Sequence, residues 1–593
     1  VSQPASISLL EELTARFAAA FAGLGADPAL GQVAVSQRPE LGQFQCNGAM
    51  SAAKALKKNP REIAEAVVAA VRDEALFAEL TLAGPGFINV RVRDAALAGR
   101  ANALAADPRL GIAPAAAPQT VIIDYGGPNV AKPMHVGHLR SSIIGDSLVR
   151  LFRFLGHDVK GDIHLGDWGT QMGMLIYELS RIQPNLPYFD PAFTGPYPAE
   201  PPVTMEDLQA MYPAVAARCK ADEDERRAAQ QATVELQQGR PGYRALWQHF
   251  RDLSIAELKA DFHRLGVDFD LWFGESDYEP EIPGMIAELR AAGVAIEDDG
   301  ALIIPVEQPD DKKPMPPVML LKSDGGANYA TTDLATIRQR VRDFDADLIL
   351  YVVDKRQSLH FEQVFRAARK SGLAADAGME HLPFGTMNGA DGRPFKTREG
   401  GVMRLKDLIA MMTGEAHKRM LEANVAQDYP EAERAAIAHK VGMAALRYAD
   451  LMNVRTADYV FDIERFTRFE GRTGSYLLYA AVRIQSILRK AAERQLAPGP
   501  ILPPTCDEER ALILALAQLP EAVRAAADQR MPHHLCAFAF DLGQALSRFY
   551  NACHIMDEQD AARQASWLGL VTLVLRELEL LLGLLGIEIP ERM

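Results

Sequence analysis

Apolar residues recur at three- and four-residue spacing through most of the chain, and short β-branched runs interrupt that pattern at a few places. Ala/Leu periodicity over residues 8–30 and 60–81 predicts two helices, separated by a polar stretch holding Gly42, Asn47 and Lys54–Lys58. Gly84-Pro85-Gly86 and the Phe87-Ile88-Asn89-Val90 run after it predict a turn and a strand. An Ala/Pro segment at 113–118 predicts a linker closing a first domain of residues 1–118. Residues 120–125 hold a short β-branched run, Gly126-Gly127-Pro128 follows, and 137–156 has helical spacing. Strand, glycine turn and helix in that order open an α/β sheet. Residues 184–250 are Pro-rich and then charged, with an acidic run at 222–225, and predict a helical insertion over about 184–260. Strands are predicted at 302–305 and 348–353, the latter ending at Asp354 before a helix from about His360. From about Leu405 strand signals vanish and helical spacing continues to Leu585. The expected fold class is therefore α/β: a Rossmann-like domain over 119–404, preceded by an α+β module and followed by an all-α bundle over 405–593.

Composition narrows the class. Hydrophobic residues make up 48% and charged residues 24%, which excludes general disorder, and 593 residues allow about four domains at roughly 150 each. Cys46, Cys219, Cys506, Cys536 and Cys553 show neither CxxC nor Cys/His ligand spacing, so a disulfide framework or zinc ribbon is not expected and a reducing compartment is. No charged-then-apolar leader opens the sequence. The most apolar stretch, 567–589, contains Arg576, Glu577 and Glu579, leaving no run of about 20 apolar residues. The expectation is a buried helix in a soluble, cytoplasmic protein with no membrane partner. A net charge of −15 argues against a wholly basic nucleic-acid coat, but not against a local basic surface.

The strongest chemical signal is Pro128-Asn129-Val130-Ala131-Lys132-Pro133-Met134-His135-Val136-Gly137-His138-Leu139-Arg140. His-x-Gly-His between a strand and a helix offers unpaired N–H groups and a positive dipole end to phosphate. Its two imidazoles can donate to phosphate oxygens as charge develops. Gly137, lacking a side chain, lets a flat base approach the backbone. Alone, paired histidines are equally consistent with capping or packing.

In that setting the segment closely resembles the signature of the class I aminoacyl-tRNA synthetases, in the form of the arginyl branch. The resemblance continues in Gly161-Asp162-Ile163-His164-Leu165-Gly166-Asp167-Trp168-Gly169-Thr170-Gln171, Leu271-Trp272-Phe273-Gly274-Glu275-Ser276, Lys322-Ser323-Asp324-Gly325-Gly326, Tyr329-Ala330-Thr331-Thr332-Asp333-Leu334-Ala335 and the closing Pro590-Glu591-Arg592-Met593. It implies activation of L-arginine by ATP and transfer to the 3′ end of tRNA(Arg), with Mg²⁺ arriving in the ATP complex and no structural metal. The implied domains are an N-terminal tRNA-contacting module, a catalytic domain with the insertion, and an anticodon-binding bundle, in a monomer.

The resemblance also implies residue roles. His135 and His138 act in catalysis with Lys132 and Lys396; Pro128, His135, Gly137, His138, Lys396 and Arg398 hold ATP. Asp124, Asn129, Tyr329, Asp333 and Gln357 hold arginine, the carboxylates matching a planar guanidinium. Asp124 is also consistent with a plain strand end, and Asp333 with a helix N-terminal charge. Tyr329 and Asp333, spaced i, i+4, could share a helix face. The second family signature falls at Phe395-Lys396-Thr397-Arg398; its usual second lysine is missing, and the resemblance assigns the compensating role to Lys132. Gly126-Gly127 stand where the family often has serines, so no side-chain role transfers to them. No protein nucleophile is needed, because the substrate carboxylate and then a tRNA hydroxyl attack.

Tyr476, Tyr479, Arg483 and Lys490 fall near one face of a predicted helix, downstream of Arg465, Arg468 and Arg472. Aromatics beside cations suit unstacked bases and phosphates, although such tyrosines also serve as core. The resemblance places anticodon contacts here, and further tRNA contacts at Asn47 and Lys54, beside Phe44 and Lys57. Rival readings are another HxGH nucleotidyltransferase, a sister synthetase, or a non-catalytic tRNA-binding paralogue. About 190 helical residues after the second signature argue against the first. The missing zinc-type cysteines argue against a cysteinyl enzyme, and the intact His135, Gly137, His138 and Lys396 against the last.

Overall fold

The computed structural model describes residues 8–38, 40–323, 325–393, 395 and 403–593. They form two compact units, Val1–Pro114 with Arg468–Met593, and Ala115–Thr467.

The second unit is built on a five-stranded parallel sheet in the spatial order Gly378–His381, Leu348–Tyr351, Thr120–Asp124, Asp158–Leu165, Leu271–Gly274. The strands Thr120–Asp124 and Leu348–Tyr351 are almost wholly buried, as parallel strands covered on both faces must be. Their β-branched and aliphatic residues have no solvent face to serve. The chain leaves Thr120–Asp124 toward one neighbour and reaches its other neighbour only at Leu348. The sheet therefore reverses direction between these two strands, which opens a crevice at their C-terminal ends.

Helix Val136–Phe154 follows the first strand. The predicted insertion is helical: Met205–Ala221, Glu223–Gln237 and Pro241–Leu265 pack with Thr170–Ile182 around Leu175, Leu208, Leu236 and Phe250. Helices Leu405–Glu422 and Glu431–Leu451 also belong to this unit, although their lack of strand signal groups them with the C-terminal helices. The reason is buried charge. Arg140 of the signature helix meets Asp450 at 2.8 Å, both side chains almost wholly inaccessible, and Arg447 pairs with Asp146 one turn and a half further on. Strand pairing does not end at 405 either, since Tyr459–Val460 pairs in parallel with Met387–Asn388.

The first unit holds a four-stranded antiparallel sheet in the order Val33–Val35, Phe44–Cys46, Phe87–Val92, Phe77–Ala83. The helix predicted over 60–81 stops at Val71. Asp73 then makes a turn, its carbonyl accepting from Leu76 and Phe77, and Phe77–Ala83 pairs with Phe87–Val92. A helix-forming composition yields here to strand pairing. Helices Gly474–Glu493, Asp507–Leu516, Leu519–Asp528, His533–Ala552 and Ala561–Leu584 complete the unit. Arg510 pairs with Asp94 at 2.7 Å, and Asn102 exchanges hydrogen bonds with Ile501, so the early and late segments share one core. The apolar stretch at 567–589 is the buried helix expected, with Glu577 wholly inaccessible. Among the described residues no helix is long and apolar enough to cross a membrane.

Candidate active site

The crevice between Thr120–Asp124 and Leu348–Tyr351 is where the sequence motifs meet. His135 caps helix Val136–Phe154: its Nδ1 accepts from the Gly137 N–H at 3.0 Å, and His138 Nδ1 accepts from the His135 N–H at 3.2 Å. The rings stack with centroids 4.0 Å apart. Because both Nδ1 atoms accept, the neutral tautomers carry the proton on Nε2. Burial pushes His138 down to about 3, with His135 adding to the effect; burial, then Lys132, lowers His135. Both imidazoles are therefore neutral Nε2–H donors near pH 7, suited to phosphate oxygens.

Gly137 has a reason beyond base access. A Cβ there would lie 2.7 Å from His135 Cε1 and 2.8 Å from its Nδ1. Gly137→Ala is thus expected to displace the His135 ring and lower turnover about 10- to 100-fold, while the apparent melting temperature stays level or rises, since alanine favours helix. Parallel activity and thermal-unfolding measurements check this.

Lys132 follows Ala131, whose φ is +60°, and its Nζ sits 4.5 Å over the Tyr212 ring of the insertion. Its charge adds to the burial that lowers both imidazoles. Gly126 and Gly127 have φ of +87° and +48°, and a Cβ on Gly126 would press on Phe262 and Phe269 at 3.2 and 3.1 Å. Glycine suits both left-handed positions. Pro128 is buried and its carbonyl accepts from Gly166, while Asn129 is exposed and bridges to Gly166. Gly389–Arg393 closes a turn, but Lys396 and Arg398 lie outside the described residues.

Asp124 does end its strand, and it also does more. Arg340, fully buried, reaches Asp124 Oδ2 at 2.6 Å and Asp162 Oδ2 at 2.6 Å. Two carboxylates share one guanidinium at the C-terminal ends of neighbouring strands. Burial holds Asp162 above the ordinary carboxylate range, against the pull of Arg340. Asp333 is not an N-terminal charge: helix Tyr329–Phe344 begins four residues earlier. Its Oδ2 accepts from His360 Nε2 at 2.5 Å, and the Tyr329 ring lies 4.9 Å from the His360 ring. Tyr329 and Asp333 thus share a face. Burial first, and then the charges of Asp124 and Asp333, hold the Tyr351 hydroxyl above its ordinary range, against the pull of Arg340. Gln357 is exposed at the end of the short 3-10 turn Lys355–Gln357, just before helix Ser358–Lys370.

In the first unit Asn47 and Lys54 are exposed and Phe44 is core. Tyr476 is half-buried, its hydroxyl bonded to Ser547 and Gln544, each at 3.1 Å. Tyr479 is 44% exposed, Arg483 stacks 3.7 Å over the Tyr550 ring, and Lys490 is exposed.

Known proteins share this arrangement over its whole length. The family described as "tRNA synthetases class I (R), catalytic domain" matches residues 101–463, "DALR anticodon binding domain" 477–593, and "Arginyl tRNA synthetase N terminal domain" 11–92. The chain is 54% identical to the arginine–tRNA ligase of Hyphomonas neptunium over 99% of its own length and 100% of that protein. The chain belongs to the class I arginyl-tRNA synthetase family. The arginine–tRNA ligase of Maricaulis maris is likewise 54% identical over 99% of the chain and all of its own length. The Thermus thermophilus arginyl-tRNA synthetase structure superimposes with a TM-score of 0.79 at 25% identity, covering 99% of this chain and 100% of that one. That of Plasmodium falciparum reaches 0.81 at 23% identity, covering both chains fully, and shares the fold.

Within this synthetase three residues of the crevice escaped sequence reasoning. Arg340 and His360 sit outside the quoted motifs and look like ordinary helix residues. Glu275 stood inside one without a role. Burial raises its pKa first; His164 counters, and the nearby Asp167 and Asp333 raise it further. Its place in a motif beside Gly274 was the available signal.

Proposed function

We propose that this synthetase condenses L-arginine with ATP to arginyl-adenylate, and then transfers arginine to the 3′ end of tRNA(Arg), releasing AMP. What carries the reading is the pairing, at one sheet reversal, of two neutral imidazole donors with carboxylates in excess of their internal cation. The substrate carboxylate attacks the α-phosphorus and pyrophosphate leaves. His135 and His138 donate Nε2–H to phosphate oxygens, and Lys132 attracts the β- and γ-phosphates. Lys396 and Arg398 have the chemistry to join it. Mg²⁺ enters with ATP and offsets phosphate charge. Asp333, Tyr329 and Asp124 receive the guanidinium, while Asn129 and Gln357 meet the amino and carboxylate end. Pro128 and Gly137 shape the nucleotide site. The ribose hydroxyl of the tRNA then attacks the activated carbonyl carbon, and AMP leaves. Positioning and charge stabilisation carry both steps.

Asn47, Lys54, Tyr476, Tyr479, Arg483 and Lys490 are proposed to touch tRNA, in a cytoplasmic monomer. Of these, Tyr479 with the Arg483–Tyr550 stack is best supported, being an exposed ring next to a cation on an aromatic face. Tyr479→Ala is expected to raise the KM for tRNA about 5- to 100-fold, the worth of one stacked base, with the KM for arginine unchanged. Steady-state aminoacylation measures both.

ATP–pyrophosphate exchange with each amino acid, with and without tRNA, tests the whole reading. Exchange specific for arginine and dependent on tRNA is expected. Exchange driven by another amino acid, or none with tRNA present, would refute it.

A further inference from the structure

Three of the residues assigned to arginine, Tyr329, Asp333 and Gln357, come from two separate helix starts. Helix Tyr329–Phe344 supplies the first two, and Gln357 precedes helix Ser358–Lys370. One side chain joins them. His360, one turn beyond Gln357, donates its Nε2–H to Asp333 Oδ2 at 2.5 Å, and its ring meets that of Tyr329 at 4.9 Å. The donor assignment follows from the partner, because an ionised carboxylate only accepts. Among the described residues, His360 is the hydrogen-bond partner of Asp333. Phe361 supports the imidazole from its own helix, with ring centroids 5.4 Å apart.

A carboxylate that must receive a planar, bidentate guanidinium loses directionality if it rotates freely. Tyr329, 62% exposed, has little else to hold its ring. We propose that His360 is a positioning residue of the arginine pocket: it pins one oxygen of Asp333 and backs the Tyr329 ring, and so presents the other oxygen and the phenol in the geometry that selects a guanidinium. The inference rests on the reading of Asp333 and Tyr329 as arginine contacts. The contacts of His360 run to Asp333 and Tyr329, so its loss is expected to appear in arginine recognition and not in the phosphoryl step.

The test uses the full-length enzyme in steady-state aminoacylation with ATP and tRNA(Arg). His360→Phe keeps a ring beside Tyr329 and removes the donor. His360→Asn keeps polarity, but its amide falls short of Asp333. His360→Gln places an N–H close to the original Nε2. Phe and Asn are expected to raise the KM for arginine about 10- to 100-fold, with kcat within about threefold and the KM for ATP unchanged. Gln is expected to return the KM for arginine to within about fivefold of the parent. Competition by citrulline and canavanine should strengthen relative to arginine in the Phe and Asn variants. An unchanged KM for arginine in the Phe and Asn variants would overturn the proposal, as would parallel losses in kcat and both KM values. A folded Gln variant as impaired as Asn would also overturn it. Asp333→Asn separates the two readings. If it too leaves the KM for arginine unchanged, the assignment of Asp333 fails. If it raises that KM while His360→Phe does not, only the role of His360 falls.

Discussion

Replacing His138 by alanine is expected to slow arginyl-adenylate formation about 100- to 1,000-fold, with the KM for arginine within about threefold of the parent. The magnitude is that of removing one preorganised donor from a site where charge develops in the transition state. The geometry makes the donor specific. His138 Nδ1 is committed to the His135 backbone N–H, leaving Nε2–H as the ring's donor. His135→Ala should act similarly, and the double variant should lose less than the product of the two, because the stacked rings work as a unit. The pH dependence carries a sign. Burial holds His138 at about 3, so it stays neutral as pH falls through the ordinary histidine range near 6.5, and burial lowers His135 as well. Turnover should show no acid limb from His138 at that pH. The folded pKa values of both histidines lie below the unfolded one, so the unfolded chain takes up more protons below about 6.5. Their stabilisation is present above that pH and is lost as pH falls toward the folded values. Rapid-quench adenylate formation across pH 5–8, beside thermal unfolding over the same range, measures both. A rise in the KM for arginine with an unchanged rate would refute the transition-state role.

Arg340→Met is expected to destabilise the second unit by about 3–5 kcal/mol, because two buried carboxylates would lose their shared cation. Asp124 would also lose the contact that orients it, so the KM for arginine should rise at least tenfold in whatever fraction folds. Protonation should relieve part of the damage. Burial already raises Asp162, and without Arg340 its folded-state pKa rises further above the unfolded value, so the folded chain binds more protons and stability falls as pH rises. The variant should therefore be closest to the parent near pH 5 and furthest from it above pH 7. Adding Asp162→Asn, which removes one of the stranded charges, should recover a large part of the stability and little of the arginine affinity. Denaturant unfolding of the three proteins at two pH values decides it; equal stability of Arg340→Met and the parent at pH 7.5 would mean that the cluster is not electrostatically coupled.

These two expectations differ in what they needed. His135, Gly137 and His138 fall within four consecutive residues, and their spacing at a strand–helix junction was legible as a candidate phosphate site. The strand Thr120–Asp124 and helix Val136–Phe154 were readable for the same reason, since turn glycines and apolar periodicity are local signals. The strand Phe77–Ala83 was not, because its composition favours a helix and only pairing with Phe87–Val92 makes it a strand. Arg340 and His360 were invisible on similar grounds. An arginine inside an amphipathic helix reads as a solvated charge, until the fold brings Asp124 and Asp162, 216 and 178 residues away, within 2.6 Å of it.

The linear sequence by itself determined the family and the order of strand, glycine turn and signature helix, because motif spacing is a property of neighbours along the chain. The tertiary structure alone decided that helices Leu405–Glu422 and Glu431–Leu451 join the sheet-bearing unit. It also decided that Asp124 shares a buried guanidinium and that His360 holds Asp333. Each of these is a pairing of charge or hydrogen-bonding capacity removed from water, and the partner is chosen by proximity in three dimensions.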